Sequence, residues 1–517
     1  MNSGAHTNCL SLERTLQVLE QEREQRWQCG AQSVQLKLHW RAQAVRHMCH
    51  VLPGETILEF GGGSGLLTGR LQQIFREENP IVSVVFSHHL VEKARARRIP
   101  GATFLHVANL CSDLPSGQFD YVIGSGMLWH RWLTGCLAVI HCVLKPGGRM
   151  LFFEPNLRFP ARVFQQIQSR RSITNTVAFP SDHVIEACSQ QGFTDVDLMP
   201  YDIVSSRLGA RMMGLLQAKA LLLEHMPGVR LACASVSMTA RKPGFRVRTA
   251  ANLAKRPELQ GAVSVVLPAH NEAGNLPRLI ERLISLYGGY IHEVIVVNDN
   301  SADETADVVE TLAKTEPRLR LINRNPPNGV GRALKDGYRS ATGRYILSMD
   351  CDFIEIVPEL RGLFDAVADG HEGAIGSRFS HDSVLINYPF LKLFFNRLCH
   401  AIIKLVLLNR VRDITNNLKL YRAEILKDLE IESSHFGANL ETGLRPLLAG
   451  RDIVEVPISW INRTFEMGTS SFNIRKVGAD YVRALFRCWR KRDTTHHGLI
   501  ALTFRPRRDR SVATRNL

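Results

Sequence analysis

The residue types best placed to do chemistry are two aspartates, Asp350 and Asp352, in the run RYILSMDCD that begins at Arg344. Carboxylates at i and i+2, at the end of a buried strand, can jointly hold a hard divalent cation. That cation in turn holds a diphosphate and neutralises the charge it gains as a leaving group. A second polar cluster, His270-Asn271-Glu272, follows the apolar run VSVVLP from Val263. In an open parallel sheet, ligands bind outside the C-terminal ends of strands, so this cluster sits where a nucleotide would; helix capping is the other role open to Asn271 and Glu272. A third stretch, VVNDNSADET (Val296–Thr305), puts Asp299 at another strand end, where it can accept a hydrogen bond from a base N–H, while Asp303 reads as a helix cap. Between the second strand and the aspartate pair, NGVGRALKDG from Asn328 leads a glycine-containing loop into a helix bearing Arg332 and Lys335. In the N-terminal half, ETILEFGGGSGLLTGRL (Glu55–Leu71) is a strand, a glycine-rich turn and a helix start, and its glycines let the backbone approach a nucleotide-like ligand closely.

Short apolar runs position these groups. TILEF from Thr56, IVSVVF from Ile81, FDYVI from Phe119 and GRMLFF from Gly148 read as buried parallel strands, with LVEKARARR from Leu90 and GCLAVIHCVL from Gly135 as helices between them. VSVVLP, EVIVVND from Glu293, RYILSMD and DIVEVPI from Asp452 repeat the rhythm. The fold class expected is α/β, as two three-layer α/β/α domains. A helical extension over 1–37 precedes the first domain (38–243), a basic linker (244–261) leads to the second (262–490), and a basic tail (491–517) follows.

The 517 residues are 45% hydrophobic and 22% charged, a globular composition too long for one ordinary core. A net charge of +15 implies attraction to anions, whether phosphate-bearing substrates, an anionic membrane surface or nucleic acid. With aromatic content of 7% and dispersed basic residues, a nucleic-acid partner is not expected. The 11 cysteines form no CxxC pair, which favours reduced thiols over a disulfide framework or a zinc site. No secretory pattern opens the chain and no apolar run reaches the roughly 20 residues of a bilayer span, so a cytoplasmic protein is expected, with peripheral contact at the inner face of the membrane as the alternative. FLKLFFNRLCHAIIKLVLLNR (Phe390–Arg410) suits either an interfacial helix or an amphipathic core helix.

Taken in order, LPAHNEAGNL, VNDNSADET, GRALKDGYRSATGRYILSMDCD, AIGSRF, DITNNLKLYR and VEVPISWINRT resemble family 2 glycosyltransferases of the GT-A fold, in the dolichol- or polyprenol-phosphate sugar synthase branch. The resemblance spans roughly Val263 to Arg490. It implies inverting transfer from a nucleotide-diphospho-sugar donor to a polyprenyl phosphate, lipid or glycan acceptor. Asp350 and Asp352 would hold Mg²⁺ or Mn²⁺, and Pro268, Ala269, Asn271, Glu272 and Asp299 would surround the base and ribose. Lys335 would join the donor site, Arg378 in AIGSRF would stand at the mouth, Glu441 in GANLETGL would face the site, and Arg463 would meet a phosphate through its planar fork. Two segments depart from the family pattern on the acceptor side: HDSVLINYP (His381–Pro389), and Asp413 to Lys419, which reads DITNNLK where the family has D-x-T-S-G-F-R. A phosphate acceptor is already an anionic nucleophile. A hydroxyl acceptor would need a base, for which Glu441 and Asp413 are the candidates.

The glycine turn, FDYVIGSGMLWH, LKPGGRMLFFEPN and FPSDHVIEACSQQGF resemble class I S-adenosylmethionine-dependent methyltransferases over about Leu38 to Pro243, which implies a seven-stranded Rossmann-like sheet. Glu59, Gly61 and Gly63 would cradle the methionine part of the cofactor, and Asn109 stands where an acidic residue is usual. The family's second strand ends in an acid that binds the ribose; Val85 or Phe86 occupies that place, a change that weakens cofactor binding by something like 1–3 kcal/mol. Two readings of this domain stay open: methyl transfer in the same pathway, or a non-catalytic binding module.

Overall fold

The computed structural model describes residues 3–28, 32–108, 110, 113–128, 131–156, 181–203, 220, 222–226, 228–244, 256–380, 382–386, 388–407, 411–461 and 474–491. The chain forms two compact units. The first is Met1–Lys255 with His381–Phe394 and Ser459–Ile461; the second is Arg256–Ser380 with Phe395–Ile458 and Asn462–Leu517.

The first unit opens with helices α1 (Ser3–Trp27) and α2 (Gln32–Cys49). There follow β1 (Ile57–Phe60), α3 (Leu66–Phe75), β2 (Ile81–Val85), α4 (His88–Ala96), β3 (Ala102–His106), β4 (Phe119–Ser125), α5 (Leu133–Val143), β5 (Leu144–Pro155), α6 (Ser181–Gln190), β6 (Thr194–Tyr201) and β7 (Ser235–Arg241). The strands lie in the order β3-β2-β1-β4-β5-β7-β6, parallel except for β7, which runs antiparallel to both neighbours. Side chains alternate across the sheet. Leu58, Phe60, Met150 and Phe152 enter one apolar cluster, while Ile57, Leu151 and Phe153 enter the other, so both faces are covered and a three-layer unit results. Leu12, Leu16 and Leu19 of α1 belong to the first cluster, and burying a leucine stabilises by roughly 2 kcal/mol. That docking turns the next residues of the same stripe, Glu20, Arg23 and Glu24, toward the C-terminal ends of the strands.

The second unit runs β8 (Val263–Ala269), α7 (Leu276–Tyr287), β9 (Ile291–Asn298), α8 (Thr305–Ala313), β10 (Leu319–Asn323), α9 (Val330–Ser340), β11 (Tyr345–Ser348), α10 (Arg361–Ala368) and β12 (Gly373–Ser377). After β13 (Leu385–Ile386) come α11 (Phe390–Leu407), β14 (Lys419–Arg422), α12 (Ala423–Lys427), α13 (Gly437–Leu448), β15 (Ile453–Pro457), β16 (Trp460–Ile461) and α14 (Ile474–Arg490). The sheet order is β10-β9-β8-β11-β14-β12-β15, with β14 antiparallel to both neighbours; β13 and β16 pair with each other within the first unit. Leu276, Leu279, Ile280, Leu283, Leu286 and Tyr287 are the buried face of α7, at helical spacing. Helix α9 lies close on β8 and β9 because residue 337 is glycine: a Cβ there would come within 2.4 Å of Val266 Cγ1. The two α/β domains expected from the sequence are thus the two sheets of the structure. The cysteines whose state is described are free thiols, and no described helix is long and apolar enough to cross a membrane.

Candidate active site

In the second sheet the chain winds outward in opposite directions from β8 and β11, which are neighbours. The crevice beyond the C-terminal ends of such a strand pair is where ligands bind in open α/β sheets. Asp350 and Asp352 lie just past β11. Cys351, between them, is buried with its thiol 3.5 Å from the carbonyl of Pro268 on β8, so the aspartate pair is tied to the neighbouring strand through its middle residue. A hydrogen-bond chain orients the first aspartate: the Tyr338 hydroxyl donates to Ser348 Oγ (2.9 Å), which donates to Asn417 Oδ1 (2.8 Å), and Asn417 Nδ2 donates to Asp350 Oδ1 (2.7 Å). Asn417 stands where the resemblance expects glycine, and the structure gives the departure a purpose that sequence spacing did not reveal.

Lys419 closes the same departing segment. It is fully buried on β14 and donates to the carbonyl of Asn439 (2.9 Å) and to Thr442 Oγ1 (3.0 Å). Burial pushes its ammonium down to about 7, against the opposing pull of Asp413 and Asp350. Among the described residues no group of three or more His, Cys, Asp or Glu side chains gathers to hold a metal. Two carboxylates at a strand end fit Mg²⁺ or Mn²⁺ nonetheless, since such ions commonly take one or two carboxylates and fill the rest of their shell with phosphate oxygens and water.

The donor-side cluster is brought together as well. Asn271 adopts the left-handed conformation (φ 58), which asparagine tolerates better than most residues. Its N–H donates to Ser301 Oγ (3.0 Å), its Oδ1 accepts from Ala302 N (2.8 Å), and Glu272 N–H donates to Thr305 Oγ1 (2.9 Å). His270 Nδ1 lies 3.0 Å from the Asp299 carbonyl oxygen. The loops after β8 and β9 are therefore stitched into one rim containing Pro268, Ala269, Asn271, Glu272 and Asp299. The Asp299 carboxylate has an internal task besides any it has toward a ligand: it accepts from Gly329 N (2.6 Å) and pairs with Arg324, fastening the glycine loop before α9 to the end of β9.

Four other expected site residues are placed away from these two clusters or outside the described residues. Glu441, expected to face the site, is 0% exposed; it accepts from Glu432 N (2.8 Å), Ser433 N (3.3 Å) and Ser433 Oγ (2.8 Å) and pairs with Arg487 at 3.0 Å. It fastens α13 to α14 and to the loop before it. Arg378, expected at the mouth, turns its fork onto buried Asp413, with Nε and Nη2 at 2.7 and 2.8 Å from the two carboxylate oxygens. Burial alone would raise the Asp413 carboxyl; the Arg378 charge and hydrogen bonds outweigh it and hold the group below its usual range. Lys335 lies against Leu426–Glu432, in a groove with Arg339, rather than on the Asp299 rim. Arg463 lies outside the described residues.

In the first unit the crevice falls between β1 and β4. Gly61 and Gly63 take left-handed conformations (φ 79 and 57) that bend the chain away from β1, and Glu59 is buried against Thr68 and Ser83 Oγ (2.9 Å), which anchor the turn. Burial raises the Glu59 carboxyl. Asn109 is outside the described residues. The turn is not open to a ligand. Glu20 accepts from the N–H groups of Gly63 (3.0 Å), Phe86 (3.0 Å) and Ser87 (2.9 Å), supplying from α1 the carboxylate that the sequence lacks at the end of β2. Arg23 donates to the carbonyls of Gly61 and Ser125, the latter at 2.9 Å. With α1 in this position the crevice does not fit S-adenosylmethionine.

Comparison with known proteins finds a match in each of the two units. Residues 264–430 match the family model for glycosyl transferase family 2, and residues 57–148 match a methyltransferase domain model. The chain is similar to polyprenol monophosphomannose synthase of Mycolicibacterium smegmatis, with 29% identity over 230 residues, covering 43% of this chain and 84% of that protein. It is also similar to dolichol-phosphate mannosyltransferase of Pyrococcus furiosus, with 28% identity over 233 residues, covering 44% of this chain and 63% of that one. Among solved structures, glucosyl-3-phosphoglycerate synthase of Mycobacterium tuberculosis aligns at 18% identity and a TM-score of 0.37, over 47% of this chain and 86% of that chain.

Proposed function

We propose, on the premise that the chain joins a family 2 glycosyltransferase domain to a methyltransferase domain, that its C-terminal half moves a hexosyl residue from a nucleoside diphosphate sugar to a polyprenyl phosphate. The working domain limits are 38–243 and 262–490. Asp350 and Asp352 hold Mg²⁺ or Mn²⁺, whose charge stabilises the departing diphosphate. The rim of Pro268, Ala269, Asn271, Glu272 and Asp299 takes the nucleoside. The phosphate oxygen of the acceptor attacks the anomeric carbon, the bond to the diphosphate breaks, and the configuration inverts.

One observation favours a phosphate acceptor over a hydroxyl. Both carboxylates that would serve as the base, Asp413 and Glu441, are 0% exposed and saturated by Arg378 and by Arg487 with the loop at 432–433. A phosphate oxygen is anionic already and needs no base. The names of the similar proteins, a polyprenol monophosphomannose synthase and a dolichol-phosphate mannosyltransferase, point the same way.

A lipid acceptor also accounts for α11. Leu391, Phe394, Phe395, Leu398, Ile402 and Leu405 recur at helical spacing and are all exposed, Leu405 by 81%. Such a stripe lies in the interface of a membrane, here the inner face, with the net positive charge attracted to anionic headgroups. For the N-terminal domain we infer that S-adenosylmethionine reaches the Gly61–Gly63 turn only when α1 is displaced.

The test is transfer from a panel of labelled UDP-, GDP- and dTDP-hexoses to polyprenyl phosphate in detergent, with Mn²⁺ or Mg²⁺. Label in the organic phase is the expected result. Label that reaches only water-soluble hydroxyl acceptors overturns the acceptor assignment. Flotation of the intact chain with anionic liposomes, and its loss on Leu391→Asp with Leu405→Asp, tests the membrane contact.

A further inference from the structure

We propose that α1 is an internal plug of the N-terminal crevice, and that S-adenosylmethionine and α1 compete for the same backbone groups. The inference rests on the methyltransferase reading of that domain and on nothing in the C-terminal half.

The geometry is specific. The crevice between β1 and β4 offers a ligand two carbonyls that face each other across the point where the strand order turns, Gly61 and Ser125. Arg23 reaches across and donates to both. The crevice also offers N–H donors on the glycine turn and at the end of β2, and one carboxylate, Glu20, takes three of them. Ser64 Oγ donates to Glu24. Glu20, Arg23 and Glu24 are 0%, 4% and 2% exposed, an unusual depth for three neighbouring charges. A Cβ on Gly63 would come 2.4 Å from Glu24 Oε2, so the space that the missing side chain leaves is already filled by α1. A cofactor that brings an ammonium to the carbonyls and hydroxyls to the β2 end meets a guanidinium and a carboxylate there first.

The plug is built to be displaced. Among the described residues, Arg23 Nε and Glu24 Oε2 are buried without a hydrogen-bond partner, so the closed state leaves one polar atom of each side chain unsatisfied. Those groups regain water when the helix lifts. Leu12, Leu16 and Leu19 anchor the N-terminal part of α1 in the core, so the segment displaced is the end of the helix from Glu20 to Trp27, past the last of these leucines.

Calorimetric titration of the full chain with S-adenosylmethionine and with S-adenosylhomocysteine tests this, comparing the wild type with Glu20→Ala/Arg23→Ala. Leu12, Leu16 and Leu19 are kept, and a thermal melt checks the fold. The double variant should bind at least ~10-fold more tightly than the wild type. Equal affinity in the two proteins, or no binding in either, overturns competition. Should the double variant fail to fold, hydrogen exchange of residues 12–28 in the wild type decides. Faster exchange on addition of millimolar S-adenosylhomocysteine supports a displaced plug, while unchanged or slower exchange marks a helix that stays in place or closes over the cofactor, and rejects it. Equal, measurable affinity overturns competition alone, whereas no binding in either protein overturns the methyltransferase reading with it, so the two failures are distinguishable.

Discussion

The two sheets share a design and differ in what fills the crevice at the turn of strand order. Beyond β8 and β11 the groups past the strand ends are two aspartates and a stitched rim of polar backbone. Beyond β1 and β4 they are backbone donors and acceptors already satisfied by α1. The position that attracts ligands is therefore a property of the topology, whereas its availability is decided by whether a distant segment of the same chain reaches it. Burial shows the same contrast. In the second unit Glu441 and Asp413 are withdrawn into ion pairs with Arg487 and Arg378; in the first, Glu20 and Arg23 are brought onto the backbone groups of the crevice.

The largest effect expected is on the aspartates. Asp350→Ala and Asp352→Ala should each lower kcat for sugar transfer by ~10²-fold or more, measured at saturating Mn²⁺. Turnover close to wild type in both would erase the distinction between the crevices. Asn417→Leu should act through the metal: Mn²⁺ affinity, read by titration calorimetry, should fall by ~10–100-fold as the Asp350 orientation loosens, with Ser348→Ala a smaller step in the same direction. By contrast Glu441→Ala should cost roughly 3 kcal/mol of stability, because it leaves Arg487 and the 432–433 N–H groups without their partner. The folded fraction should keep its kcat at low temperature. A normal melt with lost turnover would return Glu441 to the catalytic machinery.

The pH dependence of stability should have opposite sign in the two units. Burial, against the pull of Arg23 and of its backbone donors, raises Glu20 from 4.5 to about 7. The native state therefore binds the extra proton between those values, and this contribution to the N-terminal unit is fully present below pH 4.5 and lost as pH rises through about 7. Burial, opposed by Asp413, lowers His400 from 6.5 to about 4, so its contribution to the C-terminal unit is present above 6.5 and lost as pH falls through about 4. Calorimetric melts between pH 7.5 and 4.5 should show these slopes, with Glu20→Gln flattening the first and His400→Gln the second. Slopes that ignore both substitutions would dissolve this part of the contrast. The smallest effect should be Lys335→Ala: facing 426–432, it should change the donor KM by less than ~2-fold in steady-state assays, and a tenfold rise would place it at the donor after all.

Much of this was legible in the sequence where chemistry is local. Apolar runs ending in Pro268-Ala269, Asp299 and Asp350 announced strands with polar ends, since a fully buried parallel strand needs a continuous apolar stretch and hands its polar residues to the loop that follows. What was not legible depends on long separations. Glu20 is 43 residues from Gly63, and Arg23 is 102 from Ser125, so the occupied crevice read as an empty glycine loop with a missing acid. Arg378 and Glu441 were expected at the site because they stand at positions that match the family pattern. Asp413, 35 residues on, and Arg487, 46 residues on, absorb them. Asn417 appeared only as a departure from a pattern until its amide was seen to reach Asp350.

The most direct measurement is the thermal melt of the intact chain with UDP and GDP, each with Mn²⁺ and with EDTA, for the wild type, Asp350→Ala and Asp352→Ala. A donor crevice held by a metal requires that one nucleotide raise the wild-type melt only with Mn²⁺, by about 2.7 kcal/mol at a hundredfold excess over Kd, and that both variants lose the rise. An equal rise in EDTA, or one that survives in both variants, would contradict it.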